Sequence, residues 1–154
     1  MIPSWLVIGG VTLGVALLGS RLQNSRDLRW FMRLRRPRWL TFEGLIPVIW
    51  IGVFICGAGS AVLVWEASRS WGLMIGYLLL ELLVLAYTPV MSKLRSLRLG
   101  TWIGALGFGV GCVLAAQVWF VSVPAFGLLG PYLLWSPVGT FVTWQMMQIN
   151  SLDV

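Results

Sequence analysis

The sequence contains no histidine and few charged residues of either sign. Only 10% of its 154 residues are Asp, Glu, Lys or Arg, against about 25% in an average soluble protein. So few charges cannot cover the surface of a globular domain in water, and part of this surface must therefore face lipid. The lack of histidine removes the commonest haem ligand, the commonest general base and any Ser-His-Asp triad. The sequence thus offers few of the groups that common enzymes use.

Cysteine is also scarce, and no nucleotide-binding motif is present. Cys56 and Cys112 each lie within an apolar run, and no CxxC occurs. This pattern argues against a disulfide framework and against a zinc site, so we interpret both thiols as small apolar residues. Neither GxxxxGK[ST] nor a strand-associated GxGxxG occurs, which argues against a nucleotide-driven pump.

The sequence is rich in apolar runs of roughly 20 residues, the length that a helix needs to cross a bilayer. We place five such spans at residues 4–21, 44–65, 71–91, 100–122 and 126–147. The runs are continuous rather than alternating, which favours helices over the strands of a membrane barrel. No basic residue precedes the first run, so we interpret it as a mature helix rather than a cleaved signal peptide. The sequence predicts an all-α membrane protein, a five-transmembrane-helix bundle, with residues 1–154 forming a single domain.

The basic residues are concentrated between these spans. The predicted loop at residues 22–43 contains the stretch DLRWFMRLRRPRW, with five arginines and two tryptophans. Only Arg69, of eleven Lys and Arg residues, falls on the opposite side of the membrane from the others. By the positive-inside rule, the N-terminus is outside, and the basic loops and the C-terminus are cytoplasmic. Because the charge lies between two spans, it does not predict a nucleic-acid partner.

Small residues recur at a spacing of four in three spans, and Gly52, Cys56 and Ser60 show this spacing in the second. Gly10 and Gly14 form one such pair, and Gly100 and Gly104 form another. In lipid, these pairs let helices approach closely and pack by dispersion. They predict either packing inside the monomer, which we favour, or the seam of a dimer.

Aromatic residues are also arranged along helix faces. Trp50, Phe54 and Trp65 share one face of the second span, with two alanines between them, and Tyr132 and Trp135 share a face of the fifth. Large rings beside small residues can line a slot for a flat aromatic or steroid-like ligand. The same spacing also suits ordinary packing between helices, and some of the other tryptophans suit anchoring at the membrane interface.

Glu81 is the only ionisable residue deep inside a predicted span. Placing a carboxylate in the hydrocarbon core costs free energy, so such a residue is by default a candidate for a functional role. It can serve as a proton site or a polar contact to a ligand, or it can be a protonated acid hydrogen-bonded to a neighbouring helix. Tyr77, one turn earlier, is a candidate partner.

Several stretches together resemble a known family. They are LRWFMRLRRPRW at 28–39, PVIWIGVFICGAGSAVLVWE at 47–66, and PYLLW at 131–135 with a closing QIN at 148–150. They are similar to the translocator protein family, also called tryptophan-rich sensory proteins or peripheral benzodiazepine receptors. The resemblance implies a five-helix bundle, commonly dimeric, that binds porphyrins, haem and sterols in a pocket closed by the first loop. It also implies light-dependent porphyrin degradation in some bacterial members.

The resemblance assigns roles by position. It implies that Trp30 and Trp39 belong to a lid over the pocket and that Trp50 and Trp135 face the ligand. The family's N-W-x-W-P-P box is replaced here by VLAYTP at 84–89, with Tyr87 in place of one tryptophan. The resemblance and the helix faces described above together give nine candidate ligand-binding residues: Trp30, Trp39, Trp50, Phe54, Tyr77, Glu81, Tyr87, Tyr132 and Trp135.

Two functions follow as expectations. The first is a membrane-embedded sensor or transporter that binds a tetrapyrrole, porphyrin or haem, and requires no resident cofactor. The second is a structural or assembly subunit of a larger pigment–protein complex in the membrane. The expected partners are lipid, a tetrapyrrole or sterol-like ligand, and a second copy of the chain or a membrane complex.

Overall fold

The structure is a computed structural model that describes residues 2–151, and within this range it contains helices and no strand. Five helices are long and apolar enough to cross a membrane, which confirms the predicted fold class. In lipid, a continuous helix satisfies every backbone hydrogen bond within its own segment, so apolar runs of this length become helices. Met1 and residues 152–154, which the predicted single domain includes, lie outside the described residues. The helices are α1 Ser4–Leu22, α2 Ser25–Arg33, α3 Ile46–Ser68, α4 Trp71–Leu94, α5 Leu97–Val121 and α6 Val123–Ile149, with a 3-10 turn at Glu43–Leu45 before α3.

The predicted loop at residues 22–43 contains a helix that the hydrophobicity pattern did not indicate. Helix α2 is short and polar, and the side chain of Asn24 caps it by accepting a hydrogen bond from the Arg26 backbone N–H at 3.3 Å. Asp27 lies in its first turn and Arg33 in its last, the arrangement that a helix dipole favours. A search for long apolar runs misses such a helix because its stability comes from caps and charges.

Short turns connect α3 to α4 and α4 to α5. Arg69 and Arg95 end α3 and α4 in the left-handed conformation, with φ of 51° and 49°. Ser70, Ser96 and Ser122 then cap the next helix by accepting a backbone N–H with the side chain. Because each connection ends one helix and starts the next within a few residues, sequential helices lie antiparallel to each other.

The five long helices form a closed ring in the order α1, α3, α6, α5, α4, with α4 returning to α1. The most extensive packing is between α5 and α6, and α1 packs least: only Thr12 and Val15 in it are buried. Two groups of buried side chains fill the ring. The inner cluster is centred on Val64, Val118, Ala125 and Leu129. The loop-end cluster lies under the basic loop and contains Trp30, Leu34, Leu40, Met91, Leu97, Val142 and Met146.

The two small-residue pairs have different environments. At Gly100 and at Gly104, a Cβ atom would lie 2.4 Å from a side-chain atom of a neighbouring helix. This pair therefore serves packing inside the monomer, as the sequence favoured. At Gly10 and Gly14 in α1, a Cβ would have no other atom within 4 Å, so the monomer does not account for the second pair.

Candidate functional site

A small cavity lies inside the ring, between α3, α4 and α6, and we call it the inner cavity. It encloses about 40 Å³. Five of the nine candidate residues line it, namely Trp50, Phe54, Tyr77, Glu81 and Tyr132. The Trp50 and Phe54 rings are tilted with their centroids 6.4 Å apart. The remaining lining residues are Val53, Gly57, Leu80, Val84 and Leu129.

Hydrogen bonds connect the helices around this cavity. Ser60, which is fully buried, donates to the Ala125 carbonyl at 2.7 Å. Because its single proton is used there, the Tyr77 hydroxyl, 2.5 Å away, donates to the Ser60 oxygen. This chain joins α3, α4 and α6. The structure thus gives Tyr77 a partner in α3 instead of Glu81, which we had considered from the spacing in α4.

Glu81 is hydrogen-bonded to α1. Its Oε1 atom accepts from the Thr12 hydroxyl at 2.6 Å. Within residues 2–151, it has no ion-pair partner. The acid therefore bonds to a neighbouring helix, which was one of the three alternatives for this residue.

Glu81 and Tyr77 also line a second, larger space, which we call the α1–α4 groove. It measures about 610 Å³ and lies between α1, the C-terminal end of α3 and the N-terminal half of α4. Its other lining residues are Ile2, Pro3, Ser4, Val7, Ile8, Val11, Thr12, Ala61, Trp65, Glu66, Arg69, Trp71, Met74, Ile75 and Leu78.

Trp135 has an unpaired donor, although its side chain does not line the inner cavity. Its ring packs against the inner cluster, as Trp50 does. The indole Nε1 is buried without a hydrogen-bond partner in the structure. The Trp135 ring also contacts Phe42 of the basic loop, with centroids 6.3 Å apart and an angle of 61°. Trp135 therefore connects the loop with the interior and keeps a hydrogen-bond donor available.

The two loop tryptophans lie at the loop end of the bundle and do not line the inner cavity. Trp30 is buried in the loop-end cluster. Trp39 is 41% exposed and stacks on Phe141 of α6, with centroids 6.2 Å apart. Its indole N–H donates to the Gln145 side chain at 2.6 Å. Trp39 thus fastens the loop to the outer side of α6.

Tyr87 also lies at the loop end, packed against the loop-end cluster. Its hydroxyl is hydrogen-bonded to the Thr143 hydroxyl and lies 3.4 Å from the Gly139 carbonyl oxygen. The nine candidates therefore form two sets: five around the inner cavity with Trp135 beside them, and three at the loop end.

Further contacts hold the loop against the end of α6. The Arg35 backbone N–H donates to Asn150 Oδ1 at 2.9 Å, and Asn150 Nδ2 donates back to the Arg35 carbonyl at 3.0 Å. Inside the loop, Arg36 pairs with Glu43 at 2.8 Å and donates to the carbonyls of Phe31 and Leu34. These contacts hold the basic loop against the C-terminal end of α6.

Sequence reasoning missed several of these polar partners. Thr12 is a hydroxyl in the middle of an otherwise apolar helix, and this isolation was a signal that it bonds to another helix. Ser60 was visible only as a small residue. The two hydrogen bonds between Arg35 and Asn150 join residues far apart in the chain, and nothing in the sequence indicated them.

Comparison with known proteins agrees with this architecture. The model of the TspO/MBR family matches residues 7–149. The chain belongs to the TspO/MBR family. It is 27% identical to the translocator protein of Bos taurus over 164 aligned residues, which cover 99% of the chain and 95% of that relative. It is 28% identical to the translocator protein of Homo sapiens, with 97% of the chain and 94% of the relative covered. The resemblance found in the sequence is confirmed.

This TspO/MBR chain is an integral, multi-pass membrane protein. Large apolar side chains on the outward helix faces are strongly exposed, as at Ile55, Phe120 and Leu134. Exposed apolar surface on this scale is suited to contact with lipid tails.

Proposed function

We propose that this TspO/MBR chain binds a tetrapyrrole, porphyrin or haem, as a sensor or transporter in the membrane, at a site built on the inner cavity. The observation that carries the proposal is that five candidate residues from three helices converge on one cavity. Trp135 packs against the inner cluster, and its buried indole N–H has no hydrogen-bond partner within residues 2–151. A flat ring stacks favourably on aromatic side chains, and a ligand acceptor would satisfy this buried donor.

The basic loop supplies the opposite charge for such a ligand. The porphyrin ring carries carboxylates, and arginine pairs with carboxylates through two parallel hydrogen bonds. Arg29, Arg33 and Arg38 are exposed, and no ion pair within residues 2–151 engages them. The same apolar and aromatic site suits a sterol-like ligand, which would not need the arginines.

Binding requires the site to open. A cavity of about 40 Å³ is far below the roughly 300–1,000 Å³ of pockets for ligands of drug size. Phe42 packs on Trp135, so displacement of the loop would uncover Trp135 and enlarge the space beside it. The proposal therefore requires the loop to move before a porphyrin binds.

The test is titration of the purified protein with protoporphyrin IX, followed by porphyrin absorbance. The double variant Trp50→Phe and Trp135→Phe should bind roughly tenfold more weakly, because phenylalanine offers a smaller ring for stacking and lacks the indole N–H of Trp135, whose hydrogen bond to the ligand would contribute about 0.5–1.5 kcal/mol. Trp102→Phe is the control, because Trp102 is exposed on α5 and does not line the cavity. Equal affinity in the wild type and the double variant would contradict the site.

We propose the orientation that the charge distribution predicts, with the N-terminus outside and the basic loops and C-terminus in the cytoplasm. A green fluorescent protein fused after Val154 should fluoresce, because this reporter folds in the cytoplasm. An alkaline phosphatase fused at the same position should be inactive. The reverse pair of results would contradict the orientation.

The small volume of the inner cavity favours a second candidate function, a structural or assembly subunit of a larger membrane complex. Such a subunit needs no large pocket, and the Gly10 and Gly14 face on α1 is open to packing by another chain. Native gels of membranes in mild detergent distinguish the two functions. A stable large complex supports assembly, whereas a free homodimer that binds porphyrin supports the first proposal.

A further inference from the structure

The α1–α4 groove has the size and access of a ligand site. Its volume of about 610 Å³ falls within the roughly 300–1,000 Å³ of small-molecule pockets. Val7, Val11 and Ile75 line it and are 52%, 46% and 63% exposed. Because these side chains belong to helices that cross the membrane, the groove opens sideways to lipid. A hydrophobic molecule can therefore enter it from the bilayer.

A carboxyl group lies deep in this groove without a counter-charge. Glu81 is near the middle of the 24-residue helix α4, roughly 15 Å from its start at 1.5 Å per residue. Within residues 2–151, its partner is the Thr12 hydroxyl, and no Lys or Arg pairs with it. An ionised carboxylate at this depth is costly unless a cation neutralises it. A positively charged ligand would supply that cation.

The other charges that line the groove do not neutralise Glu81. Glu66 and Arg69 lie at the end of α3 and pair with each other at 3.0 Å. Glu66 also accepts a hydrogen bond from the Ser4 hydroxyl. The groove therefore contains two acids and one base, and Glu81 is the acid that no ion pair within residues 2–151 engages.

Aromatic rings lie at the mouth of the groove. Trp65 and Trp71 meet edge to face, with centroids 5.0 Å apart. Trp71 is 71% exposed. The Arg69 guanidinium already lies over the Trp65 ring, 5.5 Å from its centroid. The exposed Trp71 ring therefore remains to attract, through its quadrupole, an organic cation that carries apolar groups.

We propose that the α1–α4 groove is a second binding site, which takes a lipophilic organic cation and uses Glu81 as the counter-charge. Apolar walls solvate the hydrocarbon part of the ligand, and the carboxylate pairs with its charge. The proposal does not depend on tetrapyrrole binding in the inner cavity, although Tyr77 and Glu81 border both spaces.

Tetraphenylphosphonium and tetraphenylborate are matched probes, because they have nearly the same shape and opposite charge. Equilibrium dialysis against the protein in nanodiscs of zwitterionic lipid, with empty nanodiscs as the blank, measures both. Tetraphenylphosphonium should bind saturably and at least roughly tenfold more tightly than tetraphenylborate, which corresponds to about 1.4 kcal/mol. Glu81→Gln, which keeps an acceptor for Thr12, should remove most of this preference. Equal binding of the two ions, or unchanged cation affinity in Glu81→Gln, overturns the proposal.

A second pair of variants tests the location and leaves Glu81 intact. Val11→Trp fills the groove from the lipid side, whereas Leu13→Trp places the same indole on an exposed face of α1 outside the groove. Val11→Trp should weaken tetraphenylphosphonium binding at least several-fold, and Leu13→Trp should leave it unchanged. The Trp50→Phe and Trp135→Phe double variant should also retain cation binding. Equal effects of the two tryptophan insertions overturn the groove as the site.

Discussion

The inner cavity and the α1–α4 groove share Tyr77 and Glu81 as a common wall, yet their volumes are about 40 Å³ and about 610 Å³. The difference arises from how firmly the surrounding helices are packed. On the cavity side, Ser60 joins α3 to α6 and α4 through two short hydrogen bonds. On the groove side, α1 buries only Thr12 and Val15.

The comparison shows where the ring is weakest. Helices in lipid associate through close van der Waals packing and interhelical hydrogen bonds. Helix α1 makes few van der Waals contacts with its neighbours. Its hydrogen bonds to other helices in the structure are Thr12 to Glu81 and Ser4 to Glu66. Helix α1 is therefore the least firmly held of the five spans. A molecule that enters from the bilayer meets the groove before it meets the inner cavity.

The largest loss of stability is expected from a substitution where a helix packs most tightly against the cavity wall. In Gly111→Ala, the new Cβ would lie 2.4 Å from Tyr132 Cε1 and 3.1 Å from Cδ1. A rigid ring cannot yield as a flexible chain does, so the tyrosine or the helix must shift, at a cost of about 1–3 kcal/mol. Thermal unfolding in detergent, followed by circular dichroism, should show a clearly lower midpoint.

Gly109→Ala is the matched control for this change. A Cβ at Gly109, two residues earlier on the same helix, would have no other atom within 4 Å. It should leave the midpoint unchanged or raise it, because alanine favours helix more than glycine does. Equal midpoints for the two variants would contradict the tight packing of the cavity side.

A smaller loss is expected when the hydrogen bonds on the cavity side are removed. Ser60→Ala leaves the Tyr77 hydroxyl and the Ala125 carbonyl without their partner, which should lower the unfolding free energy by about 1 kcal/mol. Ser68→Ala is the control, because the exposed Ser68 hydroxyl bonds to Val64 in its own helix and to the Ser70 N–H in the adjoining turn, and to no other span. Reversible unfolding in detergent measures both. If Ser68→Ala destabilises as much as Ser60→Ala, the bonds between helices do not explain the closed cavity.

How much of the fold could be predicted from sequence depends on whether an element is specified by its own residues or by contacts with distant ones. The five spans follow from runs of about 20 apolar residues, because lipid requires a helix wherever such a run crosses it. Helix α2 was missed because its cap at Asn24 and its charges are local and polar. Hydrophobicity therefore locates the helices that lipid requires and overlooks those that capping stabilises.

The candidate site could be predicted only in part. Trp50 and Phe54 share a predicted helix face and both line the inner cavity, whereas Trp65 of the same face lines the α1–α4 groove. Helix spacing also suggested Tyr77 as a partner for Glu81, but the structure pairs these residues with α3 and α1. Rotation of each helix against its neighbours decides such contacts, and a single sequence without a known ring order does not specify it. The α1–α4 groove escaped prediction for the same reason, since it depends on how far apart two helices lie.

The smallest effect tests whether α1 is held separately from the rest of the ring. Thr12→Val removes the hydroxyl that bonds Glu81 and nearly keeps the side-chain volume, so the loss should be about 0.6 kcal/mol, the average for such bonds in membranes. Backbone hydrogen exchange should increase in α1 and remain unchanged in α5 and α6. Thr101→Val is the matched control, because the Thr101 hydroxyl donates to the Leu97 carbonyl within α5 at 3.0 Å. Exchange that rose equally in all five spans would mean that α1 unfolds together with the bundle. The difference between groove and cavity would then not arise from a loosely held helix.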